Sequence, residues 1–193
     1  MQIIDPHKTG TQYAYFITFV TYGNWLYFDE RGSVDRRKNN IYGTPRIKPD
    51  KSRFEKMKNN LAYEPFIMNT KQRINVMQTI ISVCDYSHWR LFAVNVRTNH
   101  VHIVVESKNT ADYVMGKFKA YASRNLNILN PENKTRPYWT RHGSTPSVLS
   151  KARFYFLMDY VVNQQGCKIA CHYEKWFDDF KNTWNMPIPD LIS

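Results

Sequence analysis

In the stretch Asn99-His100-Val101-His102-Ile103-Val104-Val105-Glu106 two histidines alternate with apolar residues. Successive side chains on a strand point to opposite faces, so His100 and His102 share one face while Val101 and Ile103 share the other. Two imidazoles placed this way on a rigid strand can approach one divalent metal from the same side. The plainer reading is a pair of histidines on the wet face of a half-buried strand. Further along, Met115, Phe118, Ala122 and Leu126 repeat every three or four residues, which marks the sheet-facing stripe of a helix. Tyr121 and Asn125, one turn apart, stack on an edge of that stripe. If this edge leans over the histidine face, a phenol nucleophile, two imidazole ligands and an amide oxygen meet there. Otherwise Tyr121 is one surface tyrosine among 13. Lys117, Lys119 and Arg124 flank it and could hold a phosphate backbone.

The elements that must position these groups follow from the chain's patterning. Tyr13 to Tyr22 is apolar and rich in β-formers, so it reads as a buried first strand. Thr70 to Ser87 carries Ile74, Met77, Ile80, Ile81 and Cys84 near helical spacing. Trp89 to Val96 and His100 to Glu106 form two strands joined through Arg97-Thr98-Asn99. Thr110 resembles an N-cap for a helix running to about Asn127. Tyr138 to Arg141 is a short strand, and Ser150 or Lys151 opens a last helix through Val162, stopped near Gly166. Strand, helix, strand, strand, helix, strand, helix suits an antiparallel α+β sandwich of ferredoxin-like type.

At 193 residues the chain fits one domain over 1–193, with room for an insertion at about 23–66 and an aromatic tail at about 172–193. The insertion region has little periodicity and many turn formers. Its Asp29 to Lys58 portion holds ten Lys or Arg against five Asp or Glu, a net of +5. The whole chain carries +11, with 13 Tyr, 11 Phe and 5 Trp. Excess cations mixed with aromatic planes suit a nucleic acid, single strands above all, because unpaired bases are free to stack. No apolar run approaches the ~20 residues needed to cross a bilayer, which argues against a membrane partner. Three cysteines suggest no disulfide framework, so a reducing cytoplasm is the expected setting.

These motifs together resemble the single-tyrosine HUH transposases, and particularly the REP-associated tyrosine transposases. Tyr15 to Leu26 looks like the family's opening strand and turn, and Asp29 to Asp35 like the segment that follows. Asn99 to His102 matches the metal motif and Lys119 to Asn127 the nucleophile helix. Trp139 to Ser144 and Asp159 to Gly166 look like the family's ending. The resemblance implies His100 and His102 as metal ligands and Tyr121 as the nucleophile. Some relatives place a glutamine one turn after the tyrosine as a third ligand, a position held here by Asn125, one methylene shorter. It further implies a bacterial, nucleoid-associated DNA strand transferase that uses Mg²⁺ or Mn²⁺ on single-stranded or hairpin DNA. The tyrosine would attack a phosphate to leave a 5′-phosphotyrosine and a free 3′-hydroxyl. An unperturbed phenol ionises near pH 10, so the metal would have to stabilise the developing charge. The basic insertion, read either as a nucleic-acid contact or as a solvated loop, and Arg136, Arg141, Lys151, Arg153 and His142 are further candidates for holding DNA.

Two other readings stand beside this one: a catalytically inactive descendant that binds hairpin nucleic acid, and a metal-dependent hydrolase in which Tyr121 only packs. Monomer and homodimer are both open. Cys167, Cys171 and His172 resemble a metal cluster without a fourth ligand and read better as ordinary small residues. Trp176, Phe177, Phe180 and Trp184 read as packing, and Glu106 as a group behind the metal strand. Tyr160, set among Phe156, Leu157 and Val161, reads as core.

Overall fold

The computed structural model describes residues 14–30, 32–33, 46–133 and 135–183. Its elements run β1 (Ala14–Thr21), α1 (Lys51–Asn59), α2 (Thr70–Ser87), β2 (Arg90–Val96), β3 (His100–Glu106), α3 (Ala111–Leu129), β4 (Trp139–Ser144), β5 (Ser147–Val148), α4 (Lys151–Asn163), β6 (Cys171–Tyr173) and α5 (Trp176–Thr183). The sheet is antiparallel in the order β4-β1-β3-β2-β6, with β5 also pairing β1. Its first four strands have the order of the expected ferredoxin-like sandwich. The histidine strand is therefore central, hydrogen-bonded on both sides.

Alternation along β3 decides what each face buries. Val101, Ile103 and Val105 join Ile17, Phe19, Val94 and Val96 under α2 and α3, whose Val76, Ile80, Phe118, Ala122 and Leu126 complete that core. Val104 faces the other way, into a second core with Ala14, Phe92, Phe154, Leu157, Met158 and Val161. A shift of register between Leu91 and Ala93 puts Phe92 and Ala93 in this second core before Val94 returns to the first. The face expected to be wet is thus roofed by α4.

Local signals start the helices where the sequence placed them. Asn69 and Gln72 make reciprocal caps at the start of α2, and the Ser150 side chain accepts from the Arg153 amide at the start of α4. Thr110 occupies the N-cap of α3 without a side-chain bond. The stretch expected to lack regular structure contains α1, and the expected tail begins with β6 and α5. Trp184 lies outside the described residues, as does the Phe180 side chain. Among the described residues, no helix is long and apolar enough to cross a membrane.

Gly143 allows β4 to lie against β1. A Cβ there would stand 2.5 Å from both the Thr18 carbonyl oxygen and Met115 Sδ, and backbone cannot yield as a side-chain end can. Gly143→Ala is expected to cost about 1–3 kcal/mol, read as a lower urea midpoint with unchanged m-value.

Candidate active site

His100 and His102 begin β3, and their rings lie 4.7 Å apart centroid to centroid at 67°. Each is held from behind. His102 Nδ1 is 2.8 Å from Thr18 Oγ1, its direct cross-strand partner on β1. His100 Nδ1 donates to Asn99 Oδ1 at 2.7 Å. For His102 this leaves the Nε2 edge for a ligand, in the manner of metal-binding histidines whose other nitrogen is fixed by a neighbour. Phe16 stacks on the His102 ring at 5.6 Å and 17°, which sets the plane.

Burial keeps both imidazoles neutral. His102 is only 7% exposed, and loss of solvent, then the nearby His100 and Arg97, push its pKa from 6.5 to about 3. His100 is lowered in the same way, chiefly by desolvation, with a hydrogen bond from its ring to the Gln165 side chain working against it. Neutral imidazole is the form that binds a metal.

The tyrosine brought to this pair is Tyr160. Its ring centroid lies 5.3 Å from that of His102 and 6.1 Å from that of Phe16, and the side chain is half-buried rather than enclosed. It packs against the second core, as its sequence neighbours suggest, and also meets the His102 ring. Amides cluster on the turn that follows. Asp159, nearly buried, accepts from Asn163 Nδ2 at 2.7 Å and Gln164 Nε2 at 2.9 Å. Gln165 lies against His100 and donates to the Tyr160 carbonyl. Asn95, directly opposite His102 on β2 and fully buried, donates to the Val161 carbonyl at 2.8 Å. That bond satisfies one of the carbonyls a helix leaves open at its end and pins the last turn of α4 to the sheet beside the histidines. The sequence signal for Tyr160 was the polar run Asn163-Gln164-Gln165 behind it, which a core helix does not need.

Tyr121 is not brought to the histidines within this chain. Its helix, α3, packs with α2 on the opposite face of the sheet, and its ring carries Arg124 at 5.1 Å. Asn125 donates to Thr79 Oγ1 on α2 at 2.7 Å. The phenol and amide at that spacing are real neighbours, but the sheet separates them from the histidines. The cations divide into two groups. Lys117 is spent on Ser87 and the rings of Tyr86, Trp89 and Tyr113. Lys119 donates to the Thr140 and His142 carbonyls, and burial lowers its pKa to about 8. Arg136 donates to the Glu64 carbonyl beneath the Phe66 ring. These three hold the fold together. Arg124, Arg141, His142, Lys151 and Arg153 remain exposed, the last two on the first turn of the helix that carries Tyr160. No cluster of three His, Cys, Asp or Glu suited to a metal exists among the described residues, Cys167, Cys171 and His172 included.

The lowered His102 pKa has a stability consequence. Between about pH 6.5 and about 3 the unfolded chain binds a proton at this site that the folded chain refuses, so stability falls as pH falls through that window. His102→Asn, which removes the titrating group, is expected to flatten the acid limb of a thermal-melting pH profile. An unchanged slope would mean the imidazole is not desolvated.

Comparison with known proteins bears on this arrangement. None of the curated proteins searched matches the chain. The solved structures it resembles include a REP-associated tyrosine transposase bound to a REP hairpin, at 10% identity and a TM-score of 0.44, covering 97% of this chain and 78% of that one. Another is a putative transposase from Deinococcus radiodurans, at 12% identity and a TM-score of 0.41, covering 86% of this chain and 100% of that one. Residues 60–164, which run from before α2 through the end of α4 and so contain both histidines and Tyr160, match the family model described as "Transposase IS200 like". The chain belongs to the IS200-like transposase family.

Proposed function

We propose that this transposase cleaves and rejoins single-stranded DNA beside a hairpin through a covalent bond to Tyr160. The observation that carries the reading is the meeting of Tyr160 with the His100–His102 pair at the end of α4. The reaction exchanges one phosphodiester for another. A P–O bond forms to Tyr160 Oη, the P–O3′ bond breaks, the phenol loses its proton and the 3′ oxygen departs as a hydroxyl. The 5′ side stays on the protein until another 3′-hydroxyl reverses the step, and no nucleotide triphosphate is consumed.

The residues present fit a divalent cation such as Mg²⁺ or Mn²⁺, with two neutral imidazoles fixed through Nδ1 and the Gln165 amide against His100 as a candidate oxygen donor. Such an ion supplies charge stabilisation to a non-bridging phosphate oxygen. The protein supplies the rest. Phe16 and Thr18 fix the His102 ring, Asn95 fixes the turn behind Tyr160, and Lys151 and Arg153 offer positive charge at the other end of the same helix. A partner strand carrying a hairpin, as in the transposase structure noted above, is the substrate this reading takes.

The deciding test incubates labelled hairpin-bearing single strands with the protein and Mn²⁺, then scores label that survives denaturing electrophoresis. Tyr160→Phe is expected to lower the adduct by at least roughly a thousandfold, as removal of a covalent nucleophile should, and a chelator to do the same. Tyr121→Phe is expected to retain it. Loss with Tyr121→Phe alone would return the nucleophile to α3 and require its exchange between two chains. Binding without any adduct, insensitive to chelator, would mark an inactive hairpin binder.

A further inference from the structure

The segment between β1 and α2 gives Phe66 and Met68 to the core near its end, and it is fastened at the histidine end of the sheet. Val20, at the end of β1, pairs with His100. Thr21 gives both its amide and its hydroxyl to the Asn99 carbonyl, at 2.8 and 2.9 Å. Asn24 then closes the root of the segment, its Nδ2 donating to Thr21 Oγ1 and the Phe66 carbonyl, both at 2.9 Å. Gly23, at φ 76°, faces Pro65 so closely that a Cβ would stand 2.9 Å from the Pro65 Cα. The two ends of the segment are thus clamped together beside the strand that starts with His100.

What the clamp holds out is α1. This helix spans Lys51–Asn59 and buries none of its residues. A helix of this length without a packed face is marginal in water, and the structure holds it by its ends. The Asp50 amide donates to the Phe28 carbonyl, and the Ala62 amide donates to Tyr22 Oη. Its charges suit the helix dipole only in part: Lys56 and Lys58 stand in the last turn, where cations are favoured, while Lys51 and Arg53 stand in a first turn without an acid. Asp50 compensates Arg53 at 3.4 Å, but Lys51, Lys56 and Lys58 have no ion pair among the described residues. At the clamp three aromatic side chains are each about two-fifths exposed: Trp25 at 41%, Tyr27 at 42% and Tyr63 at 40%. The family model begins at residue 60, after α1.

We infer that residues 22–30 and 46–66 form a grip for unpaired DNA at the approach to the histidine centre. Lys51, Lys56 and Lys58 hold phosphates, while Trp25, Tyr27 and Tyr63 stack on bases. A single strand is the occupant because it alone offers free base faces to such rings together with phosphates for the cations. The inference rests on the reading that DNA is the substrate, and it adds where the unpaired part of that DNA lies.

The test measures affinity for a labelled oligothymidine and for a blunt-ended hairpin duplex across a salt series. Lys51→Gln/Lys56→Gln/Lys58→Gln is expected to weaken oligothymidine binding about tenfold or more near 0.1 M salt. It should also flatten the slope of log affinity against log salt by up to about 2, at ~0.7 per phosphate contact on a single strand. Trp25→Ala/Tyr27→Ala is expected to weaken it by roughly five- to a hundredfold, the worth of about one stacked base, with the slope unchanged. Neither variant should shift binding to the blunt hairpin. All six side chains are at least partly exposed, so melting temperature serves as the folding control. Unchanged oligothymidine affinity in both variants, equal losses on the blunt hairpin, or no oligothymidine binding by the parent protein would each overturn the grip. Adduct formation by the parent protein is scored separately, so a failed nucleophile assignment is not mistaken for a failed grip.

Discussion

Burial of the His102 imidazole between the central strand and α4 is the constraint on which the rest of the site depends. A polar ring taken out of water is tolerated when its hydrogen-bonding atoms are engaged and its faces are packed. Thr18 engages Nδ1, Phe16 and Tyr160 pack the ring, and His100 stands at its edge. The same desolvation that penalises a charged imidazole keeps the pair neutral. Without α4 over that face of the sheet the histidines would be solvated.

The second consequence concerns the helix that roofs the pair. Its last turn would end with open carbonyls over a buried surface, and Asn95 closes one of them from the strand next to His102. Polar groups buried with their partners fix register more sharply than apolar packing does, because a slipped arrangement would leave them unpaired. Tyr160 therefore meets His102 at a set position, and the amides of Asn163, Gln164 and Gln165 crowd the opening beside it. The positive charge that marks the chain is spent unevenly. Lys117, Lys119 and Arg136 bind carbonyls, hydroxyls and rings of the fold itself, while the cations of α1 and of the first turn of α4 face solvent. Net charge alone could not separate structural cations from those free to meet a polyanion.

Much of this was legible in the order of the residues. The alternation of β3, the opening of α4 at Ser150, and the helical spacing of α2 and α3 are local properties, and each of these elements lies within a few residues of its expected bounds. The strand order of the ferredoxin-like sandwich followed from the order of elements, since short connections and packing rules leave few alternatives. The histidine pair on one face followed from the two-residue period of a strand. The sequence therefore determined the scaffold, the pairing of His100 with His102 and the family to which they point. Only the tertiary structure decided which tyrosine meets them. Periodicity tells which side of a helix is apolar but not which face of a sheet that helix will cover. Tyr121 and Asn125 read as a site because they neighbour one another, while Tyr160 read as core because its sequence neighbours are apolar. Packing put α3 beneath one face of the sheet and α4 over the other, and His102 points toward α4.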